Sequence, residues 1–173
     1  MFPTHVRTDG LGAEKLERPR TTERQFAAAA VAAQVALLAA QALLKRRHDW
    51  PTPATVKLGA GTVALVGAAV LATAGLSLGR GLTSSPLPNA YAELRTDGLY
   101  RHVRHPIYAG VIAMSWARTV GSGDRRQAAL SAALVLLFYG KSTVEERALS
   151  RRFSDYASYA ARTPRFVPRV AHR

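Results

Sequence analysis

Residues 26–44 read FAAAAVAAQVALLAAQALL, and residues 58–79 read LGAGTVALVGAAVLATAGLSLG. Neither stretch contains a charged residue, and their only polar side chains are two glutamines in the first and Ser or Thr in the second. A helix of about 20 apolar residues spans the hydrocarbon core of a bilayer. Two such stretches are hard to bury inside a soluble chain of 173 residues, so both are predicted to be transmembrane helices. In the second stretch, Gly59 and Gly61 indicate a helix-packing surface.

Two shorter apolar segments follow, and the turn-forming sequence Gly-Ser-Gly-Asp at 121–124 joins them into a predicted helical hairpin. The fold class predicted is therefore all-α, a polytopic membrane helical bundle with a cytoplasmic C-terminal helix. Its four transmembrane helices are placed at residues 26–44, 58–79, 107–120 and 126–142. We expect a polar N-terminal tail at 1–24 and one membrane domain at 25–173, of which 143–173 is the cytoplasmic C-terminal segment.

The chain is strongly basic, with 24 Lys and Arg against 11 Asp and Glu and a formal net charge of +13. In the four-helix arrangement most of these cations fall in the N-terminal tail, the 80–106 loop and the C-terminal segment, which share one side. The positive-inside rule places that side and both termini in the cytoplasm. We expect an integral membrane protein, and the Ala- and Arg-rich composition favours a bacterial inner membrane.

The distribution of the cations also bears on partners. A nucleic-acid-binding face interleaves cations with stacking aromatic residues, whereas the cations here flank apolar spans. Membrane lipids are the expected partners, and no nucleic acid is expected. The chain has no cysteine, which excludes disulfides, iron–sulfur clusters and a cysteine nucleophile. His102 and His105 are three residues apart with no evident third ligand, so no metal site is predicted.

The densest polar sequence is GLYRHVRHPIYAG at residues 98–110, just before the third predicted helix. Pro106 suits the first position of a helix, and the residue before a proline is held extended. Arg104 and His105 would then lie just outside a helix start whose free N–H groups favour an anion. The alternative is a juxtamembrane anchor, because Arg, His and Tyr are common at the membrane interface.

A second polar cluster, KSTVEERALSRRF at residues 141–153, continues the fourth predicted helix. It contains the adjacent pair Glu145 and Glu146. Helical spacing of apolar residues predicts that the helix continues beyond this cluster, with a stripe formed by Leu149, Phe153, Tyr156 and Ala160. The alternative is an ordinary solvated helix that lies on the membrane surface through its aromatic residues.

Together the two clusters resemble the isoprenylcysteine carboxyl methyltransferase family and the related bacterial phospholipid methyltransferases. The resemblance covers about residues 95–168. It is carried by Gly98, Tyr100, Arg104, His105, Pro106, Tyr108, Gly110, Glu145, Glu146, Leu149, Phe153, Tyr156 and Tyr159.

This resemblance implies an integral membrane methyltransferase that uses S-adenosyl-L-methionine and acts on a hydrophobic or lipid-linked acceptor. Carboxylate O-methylation is favoured, because an ionised carboxylate needs no general base, and amine N-methylation is the second option. The implied cofactor-binding residues are Tyr100, Arg104, His105, Pro106, Tyr108, Gly110 and Glu145. The implied catalytic residues are Glu145, Glu146, Arg151 and Arg152, of which either arginine could hold an acceptor carboxylate.

Two other functions stay open at this point. An Arg-His-Pro-x-Tyr sequence also occurs in membrane sterol reductases that use NADPH, although here Gly110 is followed by Val-Ile-Ala-Met rather than by a Trp-rich polar segment. The chain could also be a non-catalytic membrane subunit bound to a partner protein. Binding of S-adenosylmethionine, of NADPH or of neither compound separates the three functions.

Overall fold

A computed structural model describes residues 20–45 and 47–169. Most of the predicted N-terminal tail and the last four residues lie outside the described ranges. The described chain is helical and contains no strand, so the predicted all-α class is confirmed. Its five α-helices are α1 (Thr21–Leu43), α2 (Ala54–Leu78), α3 (Pro106–Ser122), α4 (Arg125–Arg152) and α5 (Tyr156–Arg162), with short 3-10 turns at Gly79–Gly81 and Gly98–Arg101.

Three of these helices, α1, α2 and α4, are long and apolar enough to cross a membrane. The apolar windows of α1 and α2 are only 17% and 11% buried within the protein, which leaves their apolar side chains facing outward as a lipid-contacting surface requires. The third predicted span, α3, has 17 residues, or about 25 Å at 1.5 Å per residue. It is thus shorter than the roughly 30 Å of a hydrocarbon core.

Two glycines bring α2 and α3 into backbone contact, and α3 packs along α2 more extensively than along α4. A Cβ atom added at Gly110 would lie 2.7 Å from the carbonyl oxygen of Gly67, and one added at Gly67 would lie 2.9 Å from that of Gly110. The packing surface predicted at Gly59 and Gly61 is wrong, because a Cβ atom at either position meets no atom within 4 Å. The close contact comes half a dozen residues later, at Gly67.

The turn between α3 and α4 is tighter than predicted, because α3 continues through Ser122. Gly123 has a φ of +67° and ends α3 in the left-handed conformation. Asp124 then caps α4 by accepting a hydrogen bond from the backbone N–H of Arg126 at 2.9 Å. The backbone N–H of Arg47 donates to the same carboxylate and is the main cause that lowers the pKa of Asp124 to about 2, with Arg126 adding to it.

The starts of α1 and α3 and the ends of α2 and α4 lie together at the opposite end of the bundle. We call this end of the bundle the site end. The continuous helix predicted beyond residue 153 is wrong. Helix α4 ends at Arg152, Phe153 is extended, and α5 starts at Tyr156. The break lets the chain fold back across the start of α3. There the backbone N–H of Arg104 donates to the carbonyl of Pro164 at 2.8 Å.

Candidate functional site

Helix α3 starts at its proline, as predicted, although the residue before it is not fully extended. Pro106 is the first helical residue, and His105 before it has φ −125° and ψ 65°, outside the helix. The backbone N–H of His105 donates to the carbonyl of Arg165 at 3.0 Å, so the C-terminal segment fixes this position. The imidazole of His105 is buried, and it points toward the two glutamates of α4.

Glu146 lies at the centre of a cluster of cations. Its Oε1 accepts hydrogen bonds from Nε and Nη2 of Arg104 at 3.1 and 3.0 Å, and the Nε2 atom of His105 lies 3.0 Å away. Arg165 donates its Nε to the same oxygen at 3.0 Å and its Nη2 to Oε2 at 2.5 Å. Both oxygens of this carboxylate are therefore engaged inside the protein, and the cluster ties α3 and the C-terminal segment to α4.

Glu145, the adjacent residue, is placed quite differently. Its Oε2 accepts a hydrogen bond from the hydroxyl of Tyr108 at 2.9 Å and lies 3.6 Å from Nδ1 of His105. No hydrogen bond among the described residues involves its Oε1. The side chain is 28% exposed, against 15% for Glu146, and it lines a cavity. Glu145 is therefore held in place on one side and open on the other.

Tyr108 stacks on two other rings. Its ring stacks on His105 at a centroid distance of 5.4 Å and on Phe138 at 4.6 Å, both nearly parallel. Its ring is thus packed against protein side chains, and its hydroxyl donates to Glu145. The structure therefore gives Tyr108 the geometry of a residue that positions Glu145.

The cavity lies at the site end, between the two sequence clusters and the loop that connects α2 to α3. One wall is formed by Tyr100, Arg104, His105, Pro106, Ile107, Tyr108, Glu145, Leu149, Tyr156 and Tyr159. The facing wall comes from the end of α2 and the connecting loop, with Leu78, Gly81, Thr83, Ser85, Pro88, Ala92, Glu93, Leu94 and Arg95. Most of the predicted cofactor-binding residues are thus brought together around one space.

Besides Tyr108, three buried tyrosines border this cavity: Tyr100, Tyr156 and Tyr159. Burial is the main cause that raises the pKa values of Tyr100 and Tyr156 above the usual range, and it raises the pKa of Tyr159 to about 12. The hydroxyl of Tyr159 donates to the carbonyl of Tyr100 at 2.6 Å. All three phenols therefore stay protonated at neutral pH, where a phenol can donate a hydrogen bond.

Four predicted site residues do not line this cavity, and the first is Glu146, whose contacts are given above. Gly110 contacts the backbone of α2 at Gly67, so its missing side chain serves helix packing. Arg151 pairs with Glu23 of α1 at 2.9 Å. Arg152 donates to the carbonyl of Asn89 at 2.6 Å. Arg151 is thus paired with α1 and Arg152 is bonded to the loop that connects α2 to α3, and neither lines the cavity.

Three cationic residues of this region were not predicted from the sequence. Arg165 completes the cluster around Glu146, and Arg95 lines the cavity. Lys141 is fully buried and donates to Gln34 of α1 and to the carbonyl of Ser84 at 2.7 Å. Of these three residues, only Lys141 could have been identified from the sequence, because a charged residue at the end of an apolar run is costly unless it has a partner.

The two glutamates and His105 do not form a metal centre. Within residues 20–45 and 47–169, no group of three or more His, Asp or Glu side chains is arranged to hold a metal ion. Nε2 of His105 bonds to Glu146, and the oxygens of Glu146 also accept hydrogen bonds from arginines. These atoms therefore do not converge on a shared point where a metal ion could sit.

Comparison with known proteins assigns the family. A family model described as phospholipid methyltransferase matches residues 56–156, which is more than half of the chain and includes most of α2, α3, α4 and both sequence clusters.

The nickel-cobalt-cadmium resistance protein NccN of Alcaligenes xylosoxydans xylosoxydans is 35% identical over 84 residues, which are 46% of this chain and 38% of NccN. The cobalt-zinc-cadmium resistance protein CzcN of Cupriavidus metallidurans is 34% identical over 85 residues, 45% of this chain and 37% of CzcN. The chain spans less than two fifths of the length of these two relatives. The family match confirms what the motifs predicted: this chain belongs to the phospholipid methyltransferase family of membrane methyltransferases.

Proposed function

We propose that this protein transfers a methyl group from S-adenosylmethionine to an anionic group of a lipophilic acceptor. One observation carries the proposal. Glu145 presents an open carboxylate oxygen to a cavity at the site end, while Tyr108 and His105 hold its other oxygen. A fixed carboxylate in a partly apolar cavity suits the ammonium group of an amino-acid cofactor.

The residues around the cavity divide into those that bind and those that position. Glu145 would hold the ammonium group, and the first turn of α3, beginning at Pro106, and the ring of Tyr100 would form the walls that exclude water. Arg104 and His105 act through Glu146, which they orient. When bound, S-adenosylmethionine supplies an electrophilic methyl group, and in-line transfer depends chiefly on positioning.

A carboxylate acceptor fits this site better than an amine. An amine acceptor needs a group that takes its proton, and Glu146 has no free oxygen for that role. Glu145 would be the remaining base, but it is engaged with the cofactor in this proposal. An ionised carboxylate needs no base, and Arg95 in the cavity wall is a cation that could hold it. In this proposal Arg95 holds the acceptor carboxylate, a role that the sequence suggested for Arg151 or Arg152.

We also propose that the site end faces the cytoplasm of a bacterial inner membrane, and that the acceptor reaches the cavity from the lipid phase. Most Lys and Arg residues flank the site end, as the positive-inside rule requires for a cytoplasmic face. Cations at this level also favour contact with anionic lipid headgroups.

The test is a transfer assay with methyl-labelled S-adenosylmethionine. Protein in its expression membranes is incubated with the labelled compound, and the lipid extract is analysed before and after mild alkali. We expect label in the lipid fraction that alkali releases as methanol, because methyl esters hydrolyse and N-methyl groups do not. Glu145→Gln should lower the incorporation by a factor of about 100.

Arg151→Gln is the matched control, because it changes a charged residue of α4 whose partner, Glu23, lies outside the cavity. It should retain normal incorporation. Alkali-stable label would reassign the acceptor to an amine. No incorporation, together with binding of NADPH to the folded protein, would contradict the proposal and favour the reductase.

A further inference from the structure

One polar atom at the cavity has no partner. Tyr156 is 3% exposed and lines the cavity, yet its hydroxyl makes no hydrogen bond with any residue in the described part of the chain. Buried hydroxyls in folded proteins are almost always paired. The nearby Tyr159 follows this rule by donating to the carbonyl of Tyr100. The unpaired hydroxyl of Tyr156 therefore requires an explanation.

The surroundings of Tyr156 define what a partner must be. Its phenol is protonated at neutral pH, because burial raises its pKa, so the missing partner is a hydrogen-bond acceptor. The charges that act on Tyr156 oppose one another, with Glu146 acting more strongly than Arg104, so its partner is defined by the ability to accept a hydrogen bond. Glu145, which lines the same cavity, favours a cationic group at its own position. A ligand that carries a hydrogen-bond acceptor beside a cationic group satisfies both, and the carboxylate and ammonium groups on the α-carbon of an amino acid are such a pair.

The arginine expected to bind a cofactor carboxylate is already engaged. Arg104 directs Nε and Nη2 to Glu146 and Nη1 to the carbonyls of Ala160 and Thr163 at 2.8 and 2.5 Å. A carboxylate in the cavity therefore needs a different donor. Within the cavity wall, Tyr156 offers a hydroxyl that no described residue uses.

We propose that Tyr156 donates a hydrogen bond to the α-carboxylate of S-adenosylmethionine, while Glu145 accepts one from its α-ammonium group. This inference rests on the proposed function and makes Tyr156 a specificity-determining residue for the amino-acid part of the cofactor. The hydroxyl is closed to solvent in this structure, so cofactor entry must be accompanied by a small movement of the cavity wall.

The test compares two ligands that differ in one group. Calorimetry on the detergent-purified protein measures binding of S-adenosylmethionine and of decarboxylated S-adenosylmethionine, which keeps the ammonium group but lacks the carboxylate. Tyr156→Phe should weaken binding of the first by about tenfold or more and leave binding of the second within about twofold. The melting temperature of the ligand-free variant should be equal to or above that of wild type, because the change removes an unpaired buried hydroxyl.

Tyr159→Phe is the matched control. It removes a hydroxyl that is bonded within the protein, so it should lower the melting temperature and affect both ligands equally. Equal effects of Tyr156→Phe on the two ligands, or none, would overturn this inference and leave the proposed function intact. If wild-type protein binds neither ligand while folded, the proposed function itself fails.

Discussion

Glu145 and Glu146 are chemically identical neighbours, and their environments separate them. Successive residues on a helix point in directions about 100° apart. One carboxylate therefore meets Arg104 and Arg165, and the other meets Tyr108 and the cavity. The first is a structural centre that holds three segments together, and the second has an oxygen free for a ligand.

At the residue scale, the cluster around Glu146 predicts a large loss of stability on neutralisation. Glu146→Gln leaves Arg104 and Arg165 without their shared counter-charge at side-chain exposures of 13% and 22%. We expect the free energy of unfolding to fall by about 2–4 kcal/mol. Chemical denaturation in detergent measures this change.

Arg151→Gln provides the comparison for that measurement. It breaks an ion pair whose arginine is 47% exposed, and exposed pairs are worth about 1 kcal/mol or less. A Glu146→Gln variant no less stable than Arg151→Gln would show that the cluster contributes little to folding.

At the element scale, the contact between α2 and α3 decides where the cavity can form. The two backbones approach at Gly67 and Gly110, which brings the end of α2 alongside the start of α3. Tyr100 then reaches α2, where its hydroxyl lies 3.5 Å from the carbonyl of Ala74. Small residues that let helix backbones meet are a common basis of packing in membranes, where apolar burial provides no driving force between helices.

Gly110→Ala should therefore destabilise the protein through packing. The added methyl group would lie 2.7 Å from a backbone oxygen, and such overpacking costs about 1–3 kcal/mol. Gly59→Ala, in the same pair of helices but facing open space, should be neutral or stabilising by up to about 1 kcal/mol. Thermal unfolding of both variants tests the difference. Loss of cofactor binding by Gly110→Ala without loss of stability would instead support a direct binding role for this glycine.

At the scale of the whole molecule, the two ends of the bundle have different tasks. The end with the α3–α4 turn is closed by structural hydrogen bonds, including those that Asp124 accepts from Arg47 and Arg126. The site end carries the cavity and the cation cluster. Buried Lys141 joins α4 to Gln34 of α1 and to Ser84 in the cavity-side loop at that end. All of the proposed chemistry is thus at one membrane surface.

The orientation of that surface can be measured directly, because the chain has no native cysteine. Tyr91→Cys places a thiol on the exposed loop of the site end, and Ala54→Cys places one at the opposite end. With a maleimide that does not cross the inner membrane, we expect labelling of Ala54→Cys in intact cells and of Tyr91→Cys only after lysis. The reverse pattern would place the site outside the cytoplasm.

The sequence by itself determined the helical class, the apolar spans and the family, because these depend on composition along the chain and on short motifs. Pro106 likewise fixed the start of α3 locally. Tertiary structure decided the rest. The packing around α4 paired Arg151 with α1 and Arg152 with the connecting loop, and the fold-back of the C-terminal segment brought Arg165 to Glu146. Helix spacing cannot give these contacts, because they join positions that are distant in the chain or follow a break in the helix. The distinction between Glu145 and Glu146 has the same origin. Only the packed neighbours determine which carboxylate has both oxygens engaged within the protein and which has one oxygen without a partner among the described residues.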